Sequence, residues 1–295
     1  MDTELFFSQL MNGISSGVIY GSIALALVII YKTTGILNFA QGEMALFSTY
    51  ITWQFTDWGF PVWLAIVSSM VVSFIGGALI ERVVIRPVEQ SSPLVVVIVT
   101  IGMFLALNSL AQVIWGTQDR VLARAYEYKV WDIGIGRLES DVVVLVGVLA
   151  VECFLLYLLL QRTKVGLALR AVASNPDSSR LVGVSTGSML MFGWGLSAAI
   201  GALAGSLVVG TAPPLVSGSL QAVLVYAFAA AALGGFDSPL GAIVGGLIVG
   251  VTKALTEVYV DALDGIETIV PLGLILLVLL FRPAGLFGKV HVERV

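Results

Sequence analysis

Four stretches without a single charged residue dominate the chain: Leu5 to Tyr31, Trp58 to Ile80, Gln90 to Gln118 and Leu181 to Phe236. Each exceeds the roughly 18 apolar residues that mark a membrane-spanning helix. They do not alternate polar and apolar residues as barrel strands would. Only 12% of the 295 residues are charged and 58% are hydrophobic, against about 25% charge in a soluble domain. The expected fold is therefore an all-α integral membrane protein, a polytopic helix bundle. Counting runs gives nine spans, within a range of eight to ten, with the N-terminus outside and the C-terminus inside. The start, MDTELFF, is acidic and lacks the basic n-region of a cleaved signal, so the first span is expected to remain.

The polar stretch from Gln161 to Ser185 carries Arg162, Lys164, Arg170 and Arg180 against one acid, Asp177. Cationic excess places such a segment on the cytoplasmic face. Its punctuation reads as two short helices. Gly166 precedes the first, Leu167 to Ala173; Asn175 caps the second, Pro176 sits at its first position and Gly183 closes it. Leu167, Leu169, Val172, Leu181 and Val182 are expected to pack against something, since a solvated loop has no use for them. By contrast, Gly116 to Asp141 balances four basic residues with five acids, which fits an outer loop.

Span one has Gly13, Gly17 and Gly21 for close helix packing, and a polar row, Ser8, Asn12, Ser16 and Tyr20, for a buried or water-lined face. Span two, Thr33 to Phe55, is interrupted by Gly35, Asn38, Gln41, Gly42 and Glu43. Broken helix survives at membrane depth only against protein or water, which makes this a candidate pathway wall. Trp53, Trp58 and Trp63 read as an outer aromatic belt. Span three is expected to end at Ile80, with Glu81, Arg82 and Arg86 in a cytoplasmic loop. Asn108 and Gln112 in span four share a face. Lys253 and Glu257, four apart, are expected to pair. The candidate pathway residues are thus Asn12, Ser16, Asn38, Gln41, Gly42, Glu43, Asn108 and Gln112. Asn12, Asn108 and Gln112 read sooner as glue between helices than as ligands.

Enzymatic chemistry finds little to build on. There is one cysteine, Cys153, and one histidine, His291, so neither a disulfide, a transition-metal site nor a histidine-based catalytic centre is expected. No HExxH or P-loop motif occurs. Glu43 and Glu152 are the acids inside spans. They admit ion coupling, which keeps a self-sufficient channel or secondary transporter open, but a structural role is preferred, Glu43 at a helix break near the cytoplasmic or cavity surface and Glu152 bonded to a neighbouring helix or neutral, because a secondary transporter usually carries more buried ionisable groups. What remains is a pore-former with a structured cytoplasmic loop and no energy-converting motif, the design of the membrane subunit of an ABC importer.

Three segments, ILNFAQGEMALFSTY (Ile36 to Tyr50), GLALRAVASNPDSSRLVGVS (Gly166 to Ser185) and LGGFDSPLGAIVGG (Leu233 to Gly246), closely resemble the LivH-type permeases of branched-chain and other hydrophobic amino-acid ABC importers. The resemblance covers essentially the whole chain. It implies one permease domain over residues 1–295, in a prokaryotic cell (inner) membrane. It implies a second, LivM-type permease, two cytoplasmic ATPases of LivG and LivF type carrying ATP and Mg, and a periplasmic or lipid-anchored binding protein. No cofactor is expected on this chain and no nucleic acid. Gly166, Arg170, Asn175, Pro176, Asp177, Arg180, Leu181 and Gly183 match the segment that couples to the ATPases. Related permeases serve urea and short amides, which leaves the solute open.

Overall fold

The computed structural model describes residues 3–211, 214–260, 266 and 269–288; His291 with its basic tail, Pro213 and the expected start of the last span at Thr268 lie outside the described residues. Helices account for almost all regular structure: α1 (Thr3–Thr34), α2 (Gln41–Asp57), α3 (Val62–Ile80), α4 (Pro93–Trp115), α5 (Ser140–Arg162), α6 (Lys164–Ser174), α7 (Pro176–Leu181), α8 (Thr186–Thr211), α9 (Gln221–Gly234), α10 (Pro239–Tyr259) and α11 (Ile269–Phe281). Among the described residues six helical stretches are long and apolar enough to cross a membrane: α1, α3 with its extension to Val88, α4, α5, α8 and α10. The apolar α9 and α11 are shorter, and α2 has 17 residues. The helical class expected from the sequence is observed, with six candidate spans among the described residues.

Three details depart from expectation. Span two is not helical from Thr33. The hydroxyls of Thr33 and Thr34 donate back to the carbonyls of Ile29 and Ile30 (3.0 and 2.8 Å) at the end of α1, and Gly35 turns at φ +71°. Asn38 Oδ1 then accepts the Ala40 N–H at 3.0 Å before α2 begins, a side-chain turn that starts a helix. Span three does not stop at Ile80: the chain continues as a π-helical turn, Glu81–Ile85, and a 3₁₀ turn, Arg86–Val88. The stretch after α4 holds an antiparallel hairpin, Val130–Asp132 against Arg137–Glu139, whose last strand runs straight into α5.

The residues group into two compact units, one of Met1–Val28, Tyr126–Gly147 and Ala222–Val295, the other of Ile29–Ala125 and Val148–Gln221. In the first, α1 and α10 meet backbone to backbone. A β-carbon on Gly13 would lie 2.7 Å from Val251 Cα, and one on Gly246 or Gly250 would strike the main chain at Gly21 or Gly17. Close approach of this kind drives helix association where lipid removes the hydrophobic incentive. Tyr20 stacks on Tyr226 nearby, centroids 4.9 Å apart. We expect Gly246→Val to cost about 1–3 kcal/mol by overpacking, measured as a lower thermal midpoint in detergent.

In the second unit α8 packs against α2 and α3. A dry cluster of Ile30, Ala40, Met44, Ile85, Met103, Trp194 and Ala198 forms its centre. Hydroxyls supply the remaining grip: Ser73 and Ser48 at 2.7 Å, Ser69 to the Ser48 carbonyl at 2.6 Å, and Thr52 with Ser206 at 2.8 Å. Small residues that hydrogen-bond across helices are the usual fasteners in lipid.

Candidate functional site

The break before α2 brings five of the expected pathway residues into two buried clusters of the second unit. In the first, Gln41 Oε1 accepts from Asn38 Nδ2 (3.2 Å) and Ser197 Oγ (3.0 Å), and Gln41 Nε2 donates to the Ser197 carbonyl (3.3 Å). Asn38 and Gln41 are almost wholly buried, so every polar atom needs such a partner. Gly42, buried in the same turn, leads to the second cluster.

There the Glu43 carboxylate, 2% exposed, accepts from Asn108 Nδ2 at 3.1 Å and Gln221 Nε2 at 3.4 Å. Both donors are neutral amides. Asn108 Oδ1 in turn accepts from Gln112 Nε2 (2.7 Å) and Ser217 Oγ (2.9 Å), and Gln112 also reaches Ser217 (3.0 Å). Gln112 and Asn108 sit one turn apart on α4, as their spacing predicted. The ladder runs inward from Gln221, which is exposed, through half-buried Asn108 to buried Glu43. Glu43 is thus itself covered, at the inner end of a ladder whose outer end, Gln221, is exposed. Ser197, Ser217 and Gln221 were missed by sequence reasoning, because they stand far along the chain from Glu43 in stretches that read simply as apolar or small.

The same two helices, α2 and α4, also carry an aromatic group. Trp115 stacks on Tyr50 (5.1 Å, 13°), meets Phe47 edge-on (5.1 Å), and donates its Nε1–H to Gln54 Oε1 at 3.1 Å. The Arg120 guanidinium lies 4.6 Å from the Trp53 ring centroid, within cation–π range. Arg120 is held there by backbone pairing with Leu215.

Asn12 and Ser16 are not in these clusters. They belong to the first unit, where with Gln9, Gly250, Lys253, Ala254, Glu257 and Val258 they line a cleft of about 270 Å³. The expected Lys253–Glu257 pair forms there at 3.0 Å. Glu152 is buried in α5.

Between α5 and α8 the two expected short helices are present. The first starts earlier than expected. Thr163 caps it, its Oγ1 accepting from Gly166 N at 3.0 Å, so Gly166 lies in the first turn and not before it. Any side chain on Gly166 would collide with the backbone of Leu159 and Leu160. Arg170 Nη1 donates to Gln161 Oε1 at 2.9 Å. Asn175 Oδ1 accepts from Ser178 N (2.8 Å) and Pro176 occupies the first turn of α7, as the sequence implied. Asp177 and Arg180 pair at 3.5 Å on the exposed face. Gly183, φ +82°, ends α7: its N–H donates to Arg180 O (3.0 Å) and Val184 N–H to Ser179 O (3.0 Å). That crossed pair is the Schellman closure, which needs a left-handed residue.

The apolar residues of this element divide. Leu169 and Val172 are buried. Leu167, Leu181 and Val182 remain 62%, 88% and 76% exposed, so within this chain only two of the five find the cover that all were expected to need. Three large apolar side chains thus stay uncovered on one small element, and uncovered apolar surface suits a partner.

A family model described as branched-chain amino acid transport system / permease component matches residues 9–279. The chain is 30% identical over 308 residues to the high-affinity branched-chain amino acid transport system permease protein LivH of Escherichia coli (strain K12), covering 98% of both chains. It is 29% identical over 306 residues to the corresponding protein BraD of Pseudomonas aeruginosa, again covering 98% of both. It is 28% identical to the probable branched-chain amino acid transport permease protein LivH of Methanocaldococcus jannaschii, covering 93% of this chain and 91% of that one. No solved structure matches. A match that runs nearly end to end, carried by a multi-pass helical chain, means that this protein belongs to the branched-chain amino acid transport permease family and is a transporter subunit, not an enzyme.

Proposed function

We propose that this chain is the permease that, with a second permease of LivM type, forms the membrane pathway for branched-chain or other hydrophobic amino acids. A binding protein, periplasmic or lipid-anchored, delivers the solute, and two cytoplasmic ATPases of LivG and LivF type bind the ATP and Mg and supply the work. This chain binds no cofactor itself. The whole chain acts as one permease domain of nine crossings in the prokaryotic inner membrane, N-terminus outside and C-terminus inside, with α2, α9 and α11 as the short or broken spans.

The observation that carries this reading is the two-helix element over Lys164–Leu181, capped at both ends and carrying exposed Leu167, Leu181 and Val182. In the proposed topology it faces the cytoplasm, and its apolar tip seats in an ATPase. Gly166, Arg170, Asn175, Pro176, Asp177, Arg180, Leu181 and Gly183 build or present that tip. The residues assigned to the route are Asn12, Ser16, Asn38, Gln41, Gly42, Glu43, Asn108 and Gln112. Weakly polar amides and hydroxyls suit a small zwitterion or neutral solute better than a polyanion.

The test is purification in mild detergent followed by reconstitution with the copurifying partners. Two ATPases and a second permease should accompany the chain, and vesicles given binding protein and ATP should accumulate leucine. Accumulation of urea without leucine would overturn the solute assignment; ATP-independent flux by the chain alone would overturn the importer reading.

A further inference from the structure

Glu81 and Arg86 were expected in a solvated loop, yet Glu81 is buried, its side chain 1% exposed, and the two form a side-on fork: Nη2 to Oε2 at 2.8 Å and Nε to Oε1 at 3.2 Å. The π-helical turn over Glu81–Ile85 makes this possible. In a regular α-helix residues five apart point about 140° away from each other, so Glu81 and Arg86 would face different sides. Here the Arg86 N–H bonds back to Glu81 O, five residues earlier, and the two side chains meet. Single π-turns are rare and concentrate at functional positions.

The same guanidinium reaches a third partner. Arg86 Nη2 donates to the carbonyl of Gly187 at 2.8 Å, one residue into α8. A β-carbon on Gly187 would stand 3.0 Å from Arg86 Nη2 and 3.1 Å from Cζ, so glycine is what lets the arginine approach. The residue before it, Thr186, accepts from Arg180 Nε at 3.0 Å. The first turn of α8 is thus gripped twice, by Arg180 of α7 and by Arg86 at the end of α3.

We propose that Arg86 is a positioning residue that ties the exit of the two-helix element to α3, so that a push on α7 reaches α3 as well as α8. This rests on reading Lys164–Leu181 as the segment on which the ATPases act. The Glu81 carboxylate fixes the guanidinium in the plane that the Gly187 carbonyl needs. A lysine at 86 keeps the charge but loses the planar fork.

The test uses the complete reconstituted importer and reads solute accumulated and ATP hydrolysed in the same vesicles. Arg86→Lys strips the fork, and Gly187→Val pushes the guanidinium off the carbonyl without altering Glu81 or Arg86. Both should lower solute moved per ATP by about tenfold, a typical coupling between sites, while the ATPases still copurify and hydrolyse at near the parent rate. An unchanged ratio in Gly187→Val overturns the proposal. So does a parallel fall in uptake, hydrolysis and assembly in both variants, which is the mark of a merely structural pair. Leu181→Asp with Val182→Asp is the reference. If it abolishes uptake while the Arg86 and Gly187 variants keep the parent ratio, this inference alone fails; if it too leaves uptake intact, the reading of the two-helix element fails with it.

Discussion

Exchanging Leu181 and Val182 together for aspartate abolishes uptake while the chain still inserts in the membrane. Both side chains are more than three quarters exposed, so nothing inside this protein is lost when they change, and surface substitutions of that kind ordinarily shift stability by about 0.5 kcal/mol or less. In a docked complex the outcome reverses. A buried apolar anchor contributes about 2 kcal/mol or more at an interface. Two such losses weaken docking roughly a thousandfold, at about tenfold per 1.4 kcal/mol, and the introduced carboxylates add an uncompensated burial cost. Copurification of the ATPases reads the docking directly. Retention of the ATPases at parental stoichiometry, with uptake intact, would show that this tip touches no motor.

The second large effect falls at the opposite kind of position, deep in the protein. Glu43→Leu removes the acceptor of Asn108 Nδ2 and leaves a half-buried donor without its partner, at a cost of about 1–3 kcal/mol. Because Asn108 is shared with Gln112 and Ser217, the disturbance spreads along the ladder. We expect maximal uptake to fall about ten- to a hundredfold, with ATPase docking unchanged. Glu43→Gln, which keeps one acceptor oxygen, should lose only a fewfold. A double-mutant cycle with Asn108→Leu is expected to be strongly non-additive, as residues of one network are. Simple additivity would mean that the two groups act independently and that the ladder is not one unit.

These two sites differ in how far they could be read ahead of the structure. Cap chemistry is local: Asn175, Pro176 and Gly183 specify where α7 starts and stops through atoms within a few residues, and Pro93 and Gly116 bracket α4 in the same way. Such signals survive any tertiary context and so were legible. The carboxylate network was legible only in its local half. Asn38, Gln41, Asn108 and Gln112 announced themselves as polar residues in apolar runs, but Ser197, Ser217 and Gln221 reach Gln41, Glu43 and Asn108 across more than a hundred residues of chain, and nothing local encodes such a meeting. At Glu81 local reading misled. A charge at the end of an apolar run ordinarily marks the exit from the membrane, and only the widened turn that aims Arg86 back at it permits burial. For Leu181 and Val182 the sequence could say that they need cover but not where the cover comes from, and this chain leaves both exposed.

The glycine seam between α1 and α10 carries a constraint on motion. Helices separated by side chains can slide, because rotamers absorb the shift; helices whose main chains touch have no such cushion. Whatever rearrangement opens and shuts the route, this pair has to travel as a single rod. Probes attached to the two helices should keep one spacing through a full transport cycle, and the flexing has to be found elsewhere in the molecule.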